Sequence, residues 1–390
     1  MPDFTKEKNQ VLLSPVPASK EPGPGNTEEG VGLCLSGGGY RAMLFHVGTL
    51  WRLNELGWLP KIQRVSSVSG GSITAAVLGM NWGALTFSAG VATNFGANLV
   101  QPIRTLAGES IDVASVISGM LLPGVTIADR AADRYAKLLF GDASLQAFPN
   151  PPAPEFVLCA TNVQSGSLMR FSKKRLADWQ VGELLEPNIP LARAVAASAA
   201  FPPVLSPAEL HLKPGQIEGL PGASLNVPPY STEIVLSDGG VYDNLGLEPV
   251  WKRLNTVLVS DGGQKMSPDP TPAGDWPRHM IRILDIIDNQ VRSLRKRQLI
   301  SSYEDGSRKG AYWGIRTDIS HYQLGDALDC PLSATSRLAS VPTRLSSLED
   351  KVQEQLINWG YAVCDAAMRR HVIPGVDCQE AAFPYDVGVR

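Results

Sequence analysis

Between Val31 and Met80 the chain runs twice through one pattern: a short apolar run, a turn of small residues, then a helix-forming stretch. VGLCLS (Val31–Ser36) suits a buried strand. SGGGYRA turns the chain, and MLFHVGTLWRLNELG follows with helical periodicity up to Gly57, placed as a helix C-cap. KIQRVSSVS then makes a second strand and GGSITAAVLGM a second helix. Strand-turn-helix alternation needs crossovers between parallel neighbours. The fold class expected is therefore α/β, with a mainly parallel central sheet and helices on both faces.

Further strands are predicted at FVLCATNV (Phe156–Val163), EIVLSD (Glu233–Asp238), TVLVSD (Thr256–Asp261) and AYWGIRT. HMIRILDIIDNQVRSLRKRQLISS supports a long helix. From Pro342 to His371, Leu345, Leu348, Val352, Leu356, Trp359 and Val363 recur at three- and four-residue steps, which predicts a helix with one buried stripe. No internal repeat or linker interrupts the pattern. One domain over 30–372 is expected, between a flexible leader (1–29, rich in Pro, Gly and charge) and a C-terminal tail (373–390). Strand order does not follow from these patterns.

With 44% hydrophobic residues in 390, the chain has enough apolar side chains for a large core. Thirty-five Lys and Arg against 38 Asp and Glu leave a net charge of −3, which argues against a nucleic-acid partner. Five cysteines, at 34, 159, 330, 364 and 378, lie far apart with no C-x-x-C pair, so neither a disulfide framework nor a zinc site is expected. That usage fits a reducing, cytoplasmic setting. No secretory signal is read at the start, and no apolar run reaches membrane-spanning length. Contact with a bilayer is expected only at its surface.

The glycine turn admits two readings. Gly37, Gly39 and Ala42 match G-x-G-x-x-A, but the second strand ends in SSVSGGS and supplies no acidic residue for a ribose, and no Gly-Lys-Ser/Thr marks a P-loop. The alternative is an oxyanion hole, in which the amides of Gly37–Gly38–Gly39 face a tetrahedral anion with Arg41 close by. In a parallel sheet, the turns after the first two strands open at the same edge.

Four serines then compete in RVSSVSGGSI (Arg64–Ile73). A nucleophile on a strained strand-to-helix turn needs small residues two before and two after it. Ser69 has Ser67 and Gly71 there; Ser72 has Gly70 and the bulkier Thr74 and falls inside the helix. Ser69 is the candidate nucleophile, against the plainer role of helix cap. For its base, none of His46, His211, His279, His321 or His371 sits in a catalytic-loop context. Asp238, in LSDGGVYDNLG, follows a strand and has glycines beside it; Asp261 opens a second D-G-G, and composition does not separate the two.

SGGGYRA, SVSGG, ARAVAASAAFPPVLSP (Ala192–Pro207) and DGGVYDNLG, in that order, resemble the patatin-like phospholipases, a family that includes the catalytic domains of cytosolic phospholipase A2 and neuropathy target esterase. The resemblance covers roughly 31–265, with weaker similarity in DNQVRSLRKR and GAYWGI. It implies a patatin-like three-layer fold and a Ser–Asp dyad. Ser69 becomes the nucleophile and Asp238 the base; Gly37, Gly38 and Gly39 form the oxyanion hole, with Arg41 beside it. VYDNLG after Asp238 matches the family's aspartate, whereas QKMSP follows Asp261. Two positions depart from the pattern: Ser67 replaces the elbow's first glycine, and Ala42 the last glycine of the oxyanion turn.

The activity so implied is a phospholipase A or lysophospholipase, cleaving phospholipids or other fatty-acyl esters through an acyl-enzyme and needing no metal or organic cofactor. Two alternatives stay open: a Ser–Asp–His carboxylesterase using His279, His321 or His371, and a lipid-binding protein whose catalysis is impaired by the two lost glycines. Met80–Ala128 carries only Arg104, Glu109 and Asp112 as charges, and reads as core helices or as a cap over an acyl channel. RSLRKR (Arg292–Arg297) reads as a solvated helix face or a site for anionic headgroups.

Overall fold

A computed structural model describes residues 27–111, 126–264, 266–376 and 379–390. Strand β1 (Glu28–Leu35) leads through the glycine turn into helix α1 (Gly39–Glu55), and β2 (Ile62–Val68) leads through Ser69 into α2 (Gly70–Asn81). The central sheet continues with β3 (Glu155–Asn162), β4 (Ser167–Phe171), β5 (Arg175–Asp178), β6 (Gly182–Leu185), β7 (Ala208–His211), β8 (Glu233–Asp238), β9 (Leu254–Asp261) and β10 (Lys309–Gly314). Helix α3 (Leu191–Ser198) precedes β7, α4 (Trp276–Glu304) follows β9, and α5 (Asp350–His371) follows β10.

The strand order is β10-β9-β1-β2-β3-β4-β5-β6, with β8 pairing the far end of β3 and β7 pairing β8. β10, β9, β1, β2 and β3 run parallel; the remaining strands add antiparallel. Side chains alternate across this sheet as strand geometry requires. Leu33, Leu35, Leu258 and Trp313 face one core, under α1 and α5. Cys34, Val257 and Val259 face another, with Leu245, Val250 and Leu299 of α4. Both faces are thus covered, as expected.

α1 buries Met43, Leu44, Phe45, Val47, Leu50 and Leu53 completely, each worth about 1.5–3 kcal/mol relative to exposure. α1 and α5 approach so closely that a Cβ on Gly48 would meet the Ile357 carbonyl oxygen, and one on Gly360 that of Phe45, at 1.9 Å. Only glycine fits either position. Beside this crossing, the buried Arg52 guanidinium lies 2.8 Å from the buried Asp365 carboxylate and also donates to the Gln379 carbonyl.

Several sequence expectations shift here. The first strand starts at Glu28, paired with Leu254, so the boundary expected at 29/30 falls inside β1; residues 1–26 lie outside the described residues. The last long helix starts at Asp350, so Leu345 and Leu348 precede it, and it is buried on all sides from Gln355 to Met368. One reason is the chain beyond 373. Asn358 Nδ2 donates to the Tyr385 and Gly388 carbonyls at 2.8 and 3.1 Å, and Val389 is buried, so residues 379–390 pack against the domain. Between Met80 and Ile111, Phe95, Leu99, Ile103 and Leu106 enter the core; the apolar run SVISGMLLPGV falls on 112–125, outside the described residues. Cys34, Cys159, Cys330 and Cys364 are buried free thiols.

Candidate active site

β2 ends at Val68 and α2 begins at Gly70, so Ser69 alone makes the turn, at φ 53° and ψ −123°. A residue with a side chain occupies that region only when its surroundings compel it. Ser198, the last residue of α3, supplies much of the compulsion. Its Oγ accepts the Ser69 amide at 3.0 Å and donates to the Cys159 carbonyl at 2.6 Å. Ser72 Oγ lies 2.8 Å from Ser198 Oγ and 3.0 Å from Ser67 Oγ. The neighbouring serines therefore brace the turn, and Ser67 does so where the family pattern has glycine. Although Ser69 sits at the N-cap of α2, its hydroxyl makes no capping bond.

The glycine turn lies against this elbow: a Cβ on Gly37 would come within 3.2 Å of Ser69 Cβ. Gly38 takes φ 145°, which side chains rarely allow, and a Cβ there would sit 2.8 Å from the Gly262 carbonyl oxygen. The three amides are not equivalent. Gly37 N–H donates to the Asn244 carbonyl at 3.1 Å. Gly38 is the N-cap of α1 and Gly39 its first residue, where the helix offers no acceptor. Arg41 is fully buried, and its Nε and Nη2 donate to the Gly262 carbonyl at 3.1 and 3.0 Å, with Nη1 on Val341 O. Burial draws its pKa down to about 10, which leaves it charged at neutral pH. It clamps the turn to two neighbouring loops. The Ala42 methyl, in place of the pattern's last glycine, packs against Gly262, where a Cβ would come within 2.6 Å.

Asp238 ends β8 opposite Ala160 of β3. Its amide donates to the Ala200 carbonyl at 2.9 Å and that of Gly239 to the Ser198 carbonyl at 3.2 Å. The small-residue segment after α3 thus holds the aspartate as well as the serine. Oδ1 accepts the Gly240 amide at 2.7 Å, while Oδ2 is buried without a hydrogen-bond partner among the described residues. Burial pushes the Asp238 pKa up to about 7, against the pull of the Gly240 amide and the Ser69 hydroxyl, with Asp288 adding to the rise. Ser69 and this carboxyl line the same cavity.

Asp261 has the same D-G-G sequence and the same bond to the amide two residues on, 2.9 Å from Gly263 N. Its surroundings reverse the outcome. Burial again pushes its pKa up, but Arg292 and Lys296, both at 3.6 Å, and the Tyr312 hydroxyl at 2.7 Å pull it down to about 2. Asp261 is a fixed anion that anchors α4. Arg295 of the same cluster pairs with Glu248 at 2.8 Å and lies 3.9 Å from Asp243. Three cations of RSLRKR thus bind the domain's own carboxylates, which neither sequence reading of that cluster anticipated.

Ser69 and Asp238 open into a cavity of about 470 Å³. Gly37, Gly38, Asn244 and Phe201 line one part of it; Arg282, Asp285, Asp288, Asn289 and Arg292 of α4 line another. Among the described residues no histidine lines it. His46 is buried between Ser260 Oγ and the Ser36 carbonyl, both at 2.9 Å, and burial lowers its pKa to about 4. The other four histidines are exposed. Sequence reasoning missed Ser198, Asn244 and the wall formed by α4. The first two sat inside motifs already noted, ASAAF and YDNLG; the third had no local signal.

The family model for patatin-like phospholipases matches residues 33–251. Human GIVD cytosolic phospholipase A2 superposes with a TM-score of 0.53 at 14% identity, over 87% of this chain and 58% of that one. The same enzyme in complex with methyl gamma-linolenyl fluorophosphonate gives 0.49 at 16% identity, covering 87% and 57%. VipD from Legionella pneumophila gives 0.37 at 13%, covering 89% and 68%. No curated protein sequence matches. This chain accordingly spans less than two thirds of the phospholipase A2 chains it resembles. With its motifs, its mixed sheet and a family match over more than half its length, the chain belongs to the patatin-like phospholipase family.

Proposed function

We propose that the protein is a lipid acyl hydrolase, of phospholipase A or lysophospholipase type, working through a Ser69–Asp238 dyad. The observation that carries this reading is the unpartnered Oδ2 of a buried carboxyl with pKa near 7, beside a serine hydroxyl held at positive φ. A carboxylate of that basicity is half ionised at neutral pH and accepts a proton far more readily than an ordinary aspartate. Asp238 takes the Ser69 proton as Oγ attacks the ester carbonyl. The amides of Gly38 and Gly39 receive the oxyanion, each such donor lowering the barrier by about 2.7–4 kcal/mol. Asp238 returns the proton to the departing alcohol. Water, deprotonated by the same carboxylate, then cleaves the acyl-serine and frees the fatty acid. Gly37, with its amide bound to Asn244, and Arg41, with its guanidinium on carbonyl groups, position the turn and do not touch the oxyanion.

A fluorophosphonate should label wild-type protein on the peptide holding Ser69. Ser69→Ala should abolish both labelling and hydrolysis of short nitrophenyl esters, and Asp238→Asn should abolish hydrolysis. Replacing His279, His321 and His371 in turn should leave hydrolysis intact. Loss of activity in one histidine variant would instead support a triad, and an unlabelled Ser69 would support the binding-protein alternative.

A further inference from the structure

Asn244 follows the short helical turn Gly240–Asp243 that leads away from the catalytic aspartate. Its backbone carbonyl accepts the Gly37 amide at 3.1 Å, which removes one of the three glycine donors from the oxyanion turn. Its side chain lines the cavity together with Ser69 and Asp238. Two close approaches locate the carboxamide. A Cβ on Gly37 would come within 2.5 Å of Asn244 Oδ1 and 3.2 Å of Ser69 Cβ. A Cβ on Gly240 would come within 2.7 Å of the same oxygen and 2.9 Å of Asp238 Oδ1. The carboxamide thus fills the gap between the oxyanion turn and the base, and glycine at 37 and at 240 keeps that gap open. Among the described residues no side-chain hydrogen bond holds it.

A carboxamide carries an acceptor oxygen and two N–H donors on one flat head. Its terminal torsion is broad, so the charge it meets decides which end it presents. When Ser69 Oγ attacks an ester, its proton goes to Asp238, which becomes neutral. The negative charge then sits on the former carbonyl oxygen, beside the glycine turn. A carboxamide placed between the two turns its N–H toward that oxygen. Arg41 does not serve there, because its guanidinium is committed to the Gly262 and Val341 carbonyls. With the Gly37 amide also taken, Gly38 and Gly39 are left as backbone donors, and a side-chain donor completes the set.

We propose that Asn244 is a further catalytic residue, whose Nδ2 donates to the oxyanion in place of the Gly37 amide that its own carbonyl occupies. This deepens the acyl-hydrolase reading and rests on the Ser69–Asp238 dyad. The backbone of Asn244 is right-handed helical, so alanine fits there and keeps the carbonyl bond to Gly37. Asn244→Ala should lower kcat on nitrophenyl esters about 100-fold or more with KM nearly unchanged, and leave the acid limb of the pH profile in place. Affinity for an alkyl trifluoromethyl ketone, which forms an anionic hemiketal on Ser69, should fall by the same factor as kcat/KM. Asn244→Asp, of the same shape but without the donor when ionised, should lose at least as much at pH 8.5. An unchanged kcat overturns the proposal, as does a loss that the ketone does not share. A displaced acid limb also overturns it, since the amide would then serve the Asp238 carboxylate; so does an aspartate variant more active than the alanine one, since shape would then matter more than the donor. Failure of the dyad is distinguished in the wild-type protein, which would neither hydrolyse esters nor take a fluorophosphonate on Ser69; failure of this inference alone shows only in the variants.

Discussion

Asp238→Asn should stabilise the protein while removing its activity. In the folded chain this carboxyl titrates at about 7, in place of 3.8, chiefly because it is buried. Between those pH values the folded state holds a proton that the unfolded state has released. Wild-type stability therefore falls as pH rises from about 4 to about 7 and levels off above that. The full gap corresponds to about 4 kcal/mol, and at about pH 5.5 roughly 2 kcal/mol of it is in place. Asparagine has nearly the same shape and never ionises, and its side-chain oxygen still accepts the Gly240 amide. With an unfolding entropy of about 2.1 cal/mol/K per residue over this length, the variant should melt about 5 °C higher at pH 8.5 and about 3 °C higher at pH 5.5. Scanning calorimetry at the two pH values, paired with nitrophenyl ester assays, reads both effects. A variant no more stable at pH 8.5, or a gap that fails to widen with pH, would refute the claim that burial sets this carboxyl's basicity.

Other outcomes follow from the same geometry. Because Asp238 must be ionised to accept the serine proton, kcat/KM should fall below about pH 7 with a slope of one; a flat profile from pH 5 to 8 would count against its role as base. Ser198→Ala removes the acceptor of the Ser69 amide, and should cut kcat about 10- to 100-fold with KM nearly unchanged; an unaltered kcat would mean that the turn holds itself. Asp365→Ala leaves the Arg52 guanidinium buried without its main counter-charge and should cost about 3–5 kcal/mol in urea unfolding; a loss under 1 kcal/mol would show that Glu55 and the Gln379 carbonyl suffice.

Much of the site was legible in local sequence because its parts are local. A strand that ends in V-S-G-G can become a helix only through a turn at the serine, and three successive glycines allow the backbone to pass close beside it. Small residues do flank the turn at Ser69, although the sequence did not reveal that Ser67 and Ser72 form a bracing network with Ser198, more than a hundred residues away. The long helix was expected from its sequence, which did not say where its apolar residues would face. Met280, Ile283, Leu284 and Ile287 are exposed, while Arg292, Arg295 and Lys296 of the same helix pair with Asp261 and Glu248.

The clearest division lies between the two D-G-G turns. Sequence alone determined that each aspartate ends a strand and is followed by two glycines. Which one titrates near neutrality and which stays an anion was decided only by tertiary structure. Asp238 is buried beside a serine, and among the described residues no cation pairs with it, so its charge is costly. Asp261, equally enclosed, is reached by Arg292, Lys296 and Tyr312 from elements that follow it in the chain. Charge in a low-dielectric interior depends on neighbours in space, and sequence order does not supply them.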